Sequence, residues 1–322
     1  MTEAAGRKEL KSLALIFPGQ GSQFPGMGAD LFRVSASARS MMERADELLG
    51  YSLSKIMAGD KGDELNRTLY AQPAIFVHSM ALLKVMGERH PLVPVTAAGH
   101  SLGEYSALCA AGVLDFEETL GIIQVRAKGM DEAQVAGACA MAAIIGLTKE
   151  RSATLVEECR GEDVLEAANF NAPDQIVISG HREAVARVVE AAGKEKRARA
   201  VMLPVSSAFH TPLMEPARKY LGDRLETVVP GKGRFPVVAN VNAQPYSFEP
   251  AGFRRLLTDQ LIRPVLWEAC VRTMMKNPVD GFVEVGPGKV LTGLLRRIDK
   301  SAVAYNVSDP DSIQALEEAL DE

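Results

Sequence analysis

Cysteine and long apolar runs are scarce in this chain of 322 residues, and each scarcity excludes a class of protein. The four cysteines (Cys109, Cys139, Cys159, Cys270) lie far apart, with no C-x-x-C pair and no histidine spacing that suits zinc. They read as buried, reduced thiols of a cytoplasmic protein, not as a disulfide framework or a metal site. No apolar stretch reaches the roughly 18 residues of a membrane span. Basic residues near the start (Arg7, Lys8, Lys11) lead only into the short apolar run at 13–17, too brief for a signal-peptide core. Positive charge is not in excess either: the formal net charge is −5, which argues against a general nucleic-acid binder. Low-complexity tracts and solenoid-period repeats are missing.

What remains is an ordinary soluble composition, 47% hydrophobic and 24% charged. At roughly 150 residues per domain the length suits about two domains or one large one, with enough core to need no covalent staple. Short β-branched runs alternate with longer helical patterns, the mark of an α/β protein. A strand is expected over 12–17, a helix from about Gln72-Pro73 with the proline in its first turn, and a buried strand over 93–98. Asp115 followed by Glu118 reads as a capping box for a helix whose apolar face is Phe116, Leu120, Ile123, Ala127 and Met130.

From 136 to 205 the order reads β-α-β-β-α-β, that of a ferredoxin-like unit. Strands are expected at 138–147, 163–170, 175–180 and 199–205, with helices at 149–160 and 181–192. The expectation is a large α/β-hydrolase-like domain with a parallel sheet (1–135 and 206–322), carrying a ferredoxin-like small subdomain inserted at 136–205.

Gly99-His100-Ser101-Leu102-Gly103 matches G-x-S-x-G between a strand and a helix, the setting of a nucleophile elbow. Glycines permit the close backbone approach, and the helix N-terminus offers free N–H groups to a developing oxyanion. Ser101 is therefore the candidate nucleophile, against the plainer reading of a glycine-flanked loop serine. A serine hydroxyl needs a base. Among the five histidines, His78 and His90 read as solvated or satisfied structural residues, His181 as a cap or surface residue, and His100 as a wall of the pocket. His210 follows a strand end where the small unit returns to the main sheet, the edge at which catalytic groups gather, and it leads.

At these residues the chain resembles a known family, the bacterial malonyl-CoA:acyl carrier protein transacylases and the acyltransferase domains of polyketide synthases. The resemblance runs from about 13 to about 307. It rests on FPGQGSQ (17–23), AQPA (71–74), GHSLGEY (99–105), Arg126 within QVRAKGM, NFNAPDQIVISG (169–180), SAFHTPLM (207–214), QLIRPVLW (260–267) and VEVGPGKVLTGL (283–294), in family order. It implies that Ser101 is acylated with His210 as its base, and that the main-chain carbonyl of Gln260 orients the imidazole. It also implies an oxyanion hole from the backbone N–H groups of Gln20 and Leu102, and Arg126 as partner of the malonyl carboxylate. An Arg fork matches a carboxylate with two parallel hydrogen bonds, and leaving a buried one unpaired costs on the order of 3–5 kcal/mol, which disfavours acetyl.

Ser207-Ala208-Phe209-His210 is similar to the HAFH form of malonyl-using members, with Phe209 crowding the space of an α-methyl group. Asp131 departs from the Gln that many relatives carry after the residue matching Met130, and it is expected to face away from the pocket. His100, Met130, Phe209 and Asn171 are the further substrate-contact candidates. Asn169 and Asn171 otherwise read as turn residues. The implied partners are malonyl-CoA and acyl carrier protein, with no nucleic acid, no membrane and a monomeric chain. No metal or redox cofactor is required. Carrier docking would fall on Lys194, Lys196, Arg197 and Arg199, or on Arg296-Arg297, unless these are ordinary solvated faces. A discrete polyketide-type acyltransferase, an acyl hydrolase on the same scaffold and an idle acyl-binding module are the rivals. The C-terminal pattern Ile313, Leu316, Leu320 leaves open whether it packs on its own domain or on a neighbour.

Overall fold

The computed structural model describes residues 12–321 apart from 91, 134–137 and 206. Arg7, Lys8 and Lys11 and the expected domain boundaries at 135/136 and 205/206 lie at or beyond those limits. Strand β1 (Leu13–Phe17) is buried along its whole length, because a parallel sheet is covered on both faces. Its side chains alternate. Leu13, Leu15 and Phe17 enter one core, while Ala14 and Ile16 enter another on the opposite face.

The first core is dominated by the helix Thr68–Arg89, and the second by helices Trp267–Met274 and Val290–Ile298. With β2 (Pro94–Gly99), β7 (Gly281–Val285) and β8 (Ala304–Val307), β1 forms a parallel sheet in the order β2-β1-β7-β8. The intervening strands β3 (Cys139–Ile145), β4 (Leu165–Ala172), β5 (Gln175–His181) and β6 (Arg199–Met202) form a second, antiparallel sheet in the order β4-β5-β3-β6.

This second unit has the β-α-β-β-α-β order read from the sequence, and it too works by alternation. Ala140, Ala142 and Ile144 of β3 pack beneath helices Lys149–Arg160 and Arg182–Gly193, while Met141 and Ala143 face the main core. Backbone hydrogen bonds from Phe170 to Val265 and from Val265 to Ala168, both 2.9 Å, join β4 to the large unit. The small sheet therefore forms one wall above the large one.

Several expectations change. The helix expected from Gln72 begins at Thr68, so Pro73 lies inside it. Burial of Thr68, Ala71 and Gln72 outweighs the missing proline N–H. This 22-residue helix is also long and apolar enough to cross a membrane, although polar residues interrupt its apolar runs. It is 78% buried in the window concerned, as suits the central helix of a packed core. Strand β6 stops at Met202 rather than 205. Asn169 and Asn171 lie in β4, not in a turn. Cys139 and Cys270 are buried, but Cys109 and Cys159 are only partly so. His78 is neither solvated nor satisfied: it is fully buried, with no protein partner for either ring nitrogen among the described residues. Ile313 and Leu316 of helix Pro310–Asp321 enter the main core, so that helix packs on its own chain.

Candidate active site

β2 ends at Gly99 and the next helix, Gly103–Ala110, begins four residues later. So sharp a reversal leaves no room for side chains at its ends. A Cβ on Gly99 would lie 1.9 Å from the Gly103 backbone, and one on Gly103 would lie 2.1 Å from the carbonyl oxygen of Phe17. Between them Ser101 adopts φ 51°, a left-handed conformation that costs a non-glycine residue on the order of 1–3 kcal/mol. Asn240 holds the turn: its Oδ1 accepts from the Ser101 N–H (2.8 Å) and its Nδ2 donates to the Gly99 carbonyl (2.8 Å).

His210 shares the left-handed conformation, at φ 60°, and is buried at 3% exposure. Its Nδ1 lies 2.6 Å from the main-chain oxygen of Gln260 and its Nε2 2.9 Å from Ser101 Oγ. A carbonyl only accepts, so Nδ1 carries the proton and Nε2 presents a lone pair to the serine hydroxyl. Burial first, and then the charge of Arg126, lowers the His210 pKa to about 3, so the ring is neutral at neutral pH. The electrostatics fit a base and not a cation.

Arg126 comes from the middle of helix Phe116–Glu132, which Asp115 caps by accepting from the Glu118 N–H (2.8 Å). The guanidinium is fully buried yet forms no ion pair among the described residues. Nη1 donates to Gln72 Oε1 (2.6 Å), and Nη2 donates to Gln260 Oε1 (2.9 Å) and to Ser101 Oγ (3.0 Å). The Tyr105 ring lies 5.3 Å below it. Desolvation pulls the pKa of Arg126 down, opposed by Tyr105 and by the Glu104 carboxylate beyond Gln260. The result is a buried cation next to a hydroxyl, with no direct ion pair among the described residues; the nearest carboxylate, Glu104, acts on it across the Gln260 amide.

Ser101, His210 and Arg126 all open into one cleft of about 530 Å³, together with Gln20, Leu102, His100, Met130, Phe209 and Asn169. Gly19 brings the Gln20 loop within reach, since a Cβ there would lie 2.4 Å from the His100 carbonyl oxygen. Among the described residues neither the Gln20 nor the Leu102 N–H has a protein acceptor. His100 bonds through Nε2 to Asn171 Oδ1 (2.8 Å) and leans on Trp267, so Asn171 sits behind that wall and not in the cleft. Asp131 is turned towards Arg67, 2.9 Å away. A second cavity, of about 640 Å³, is lined by Leu15, Met80, Phe116 and Phe235, and brings no histidine to a hydroxyl.

Residue-level reasoning missed Gln72, Glu104, Asn240 and Tyr246. Gln72 and Glu104 stand inside motifs already quoted, AQPA and GHSLGEY, so the motifs carried a signal that was not assigned to them. Asn240 and Tyr246 lie in a segment without regular structure, which offers no periodic cue. Of the docking candidates, Lys194 pairs with Glu190 (2.8 Å) and Arg297 with Asp174 (2.6 Å).

Residues 14–316 match the acyl transferase domain family. The chain is 40% identical over 306 residues to a malonyl CoA-acyl carrier protein transacylase of Escherichia coli K12, covering 95% of this chain and 99% of that protein. It superposes on the transacylase structure from Coxiella burnetii with a TM-score of 0.94 at 33% identity, covering 98% and 100% of the two chains. A malonyl-transacylase solved with its type II polyketide acyl-carrier protein is 39% identical, with a TM-score of 0.91 over 96% of this chain and 99% of that one. With fold, motifs and full-length similarity in agreement, the chain is an acyltransferase and belongs to the malonyl CoA-acyl carrier protein transacylase family.

Proposed function

We propose that this chain moves a malonyl group from malonyl-CoA to the phosphopantetheine thiol of acyl carrier protein by way of an ester on Ser101. The observation that carries the reading is the buried guanidinium of Arg126, in no direct ion pair among the described residues, at 3.0 Å from the serine oxygen. An acetyl group leaves that charge unpaired, whereas the free carboxylate of malonyl matches the guanidinium fork and takes over the donor that Ser101 Oγ holds in the free site.

In the first half-reaction Ser101 Oγ attacks the thioester carbonyl carbon as its proton passes to His210 Nε2. The carbonyl oxygen becomes negative between the Gln20 and Leu102 N–H groups, a preorganised hole worth about 10²–10³ in rate per donor. The C–S bond then breaks, and the CoA sulfur takes the proton from His210. In the second half-reaction the carrier thiol gives its proton to His210, attacks the ester carbonyl, and Ser101 Oγ leaves with that proton. Both halves balance in protons and electrons without metal or redox chemistry. As Arg126 turns to the malonyl carboxylate it releases the serine lone pair it holds in the free site.

We read residues 1–135 and 206–322 as the catalytic domain and 136–205 as a subdomain that supplies the wall bearing Met141 and Asn169. The four free thiols suit a reducing, cytoplasmic setting. Intact-mass measurement after mixing with malonyl-CoA is expected to show one malonyl adduct, lost in Ser101→Ala. CoA release should come as a burst that carrier protein renews. Steady CoA release with water alone would make the chain a hydrolase instead.

A further inference from the structure

Glu104 lies one helical turn below the nucleophile with its side chain fully buried, and no step above uses it. Its Oε1 accepts from the Tyr246 hydroxyl. Its Oε2 accepts from Gln260 Nε2 (2.6 Å) and from the Asn240 N–H (3.3 Å). Gln260 is the residue that both arms of the site share. Its main-chain oxygen holds His210 and its side-chain oxygen holds Arg126 Nη2. The remaining amide proton of Gln260 goes to the Ser101 carbonyl (2.9 Å).

A side-chain amide can turn over, exchanging oxygen for nitrogen. At Gln260 the flipped form would aim an NH₂ at a guanidinium N–H and an oxygen at the Glu104 carboxylate, both repulsive. Of the two acceptors that hold the amide NH₂, the Ser101 carbonyl is neutral and the Glu104 carboxylate is charged and closer, so the carboxylate sets the orientation more strongly. We infer that Glu104 is a positioning residue for acyl selectivity: by fixing the Gln260 amide it presents one acceptor to Arg126 and keeps that guanidinium aimed into the cleft.

The inference deepens, and rests on, the malonyl-transfer reading. Burial raises the Glu104 carboxyl to about 7, opposed by the Tyr246 hydroxyl, the Gln260 amide and the Arg126 charge, so its hold on Gln260 changes within the working pH range. The other titratable groups around it are Tyr105 on its own helix and Cys270 on helix Trp267–Met274, both held protonated by burial, and His210 across Gln260.

The test measures Ser101 acylation of the full-length chain by malonyl-CoA and by acetyl-CoA in parallel, by rapid-quench intact mass from about pH 5 to about pH 8. Glu104→Gln keeps the shape but lets the amide turn. The malonyl-to-acetyl rate ratio is expected to fall about tenfold or more, the worth of one charge-assisted hydrogen bond, while the acetyl rate holds. The native ratio should decline towards acid, and that decline should vanish in Glu104→Gln. Tyr246→Phe removes a donor that favours the carboxylate, so in that variant the decline should begin at a higher pH. Should Glu104→Gln fail to fold by circular dichroism, the position of the Tyr246→Phe limb decides. Malonyl and acetyl rates falling by one common factor, or an identical pH profile in every variant, would overturn the inference. If the unaltered chain captures no malonyl at all, the transfer reading itself falls and takes this inference with it.

Discussion

Two histidines of this chain are buried to nearly the same degree and sit in opposite surroundings. His78 sits in the centre of helix Thr68–Arg89, fully enclosed, with no protein partner for either ring nitrogen among the described residues. His210 is 3% exposed, and both of its nitrogens are engaged, one by the Gln260 carbonyl and one by Ser101. Desolvation lowers both pKa values, to about 4 and about 3. Burial alone therefore yields a ring that merely resists protonation. A carbonyl on one side and a hydroxyl on the other give the same neutral ring a fixed tautomer with its lone pair directed at Ser101, as the proposed role of base requires.

The comparison breaks most sharply on rate. His210→Ala should slow malonyl-enzyme formation about a thousandfold, the usual worth of a positioned base, whereas His78→Leu should leave it essentially unchanged. Stopped quench with intact-mass detection checks both. A large loss in His78→Leu would mean that the core ring is coupled to the site after all.

The second effect is on stability in acid. A histidine depressed from 6.5 to about 4 leaves the unfolded chain binding more protons between those values, so its contribution is present above pH 6.5 and lost as pH falls through 4. For His78 the loss is about 3 kcal/mol over that window. Glu104, raised to about 7, acts with the opposite sign, stabilising below its unfolded value and losing that as pH rises towards 7. Urea unfolding of the chain beside His78→Leu, at pH 7 and at pH 4.5, isolates the histidine term. The native chain should lose more stability than the variant.

The smallest effect concerns the pKa of His210. After burial, the Arg126 charge is the next largest cause of its depression. Arg126→Ala should therefore move the His210 titration upward, as seen by imidazole NMR, while the His78 titration stays where it is. An unmoved His210 would show that the guanidinium does not act on the ring through the cleft.

Much of this was legible in one dimension because it is local. The Gly99–Gly103 elbow needs glycine at both ends to avoid backbone collisions that no repacking relieves, so the motif is written in contiguous residues. Asp115 capping Glu118 and the alternation of β3 between two cores are likewise short-range. Helix boundaries were less readable: Pro73 marks an expected first turn, yet buried neighbours carry the helix a turn further back.

By itself the sequence determined the α/β order, the inserted antiparallel unit and the glycine-flanked elbow that carries Ser101, because periodicity, turn chemistry and motif spacing act between near neighbours. Only the tertiary structure decided that His210 meets Ser101 Oγ while His78 is enclosed in the core, where Gln72, Asn240, Tyr246 and Glu104 belong, and that Arg126 faces the cleft with no direct ion pair among the described residues. Those outcomes depend on desolvation and on hydrogen bonds between residues far apart in the chain, and neither exists until the two sheets close over one another.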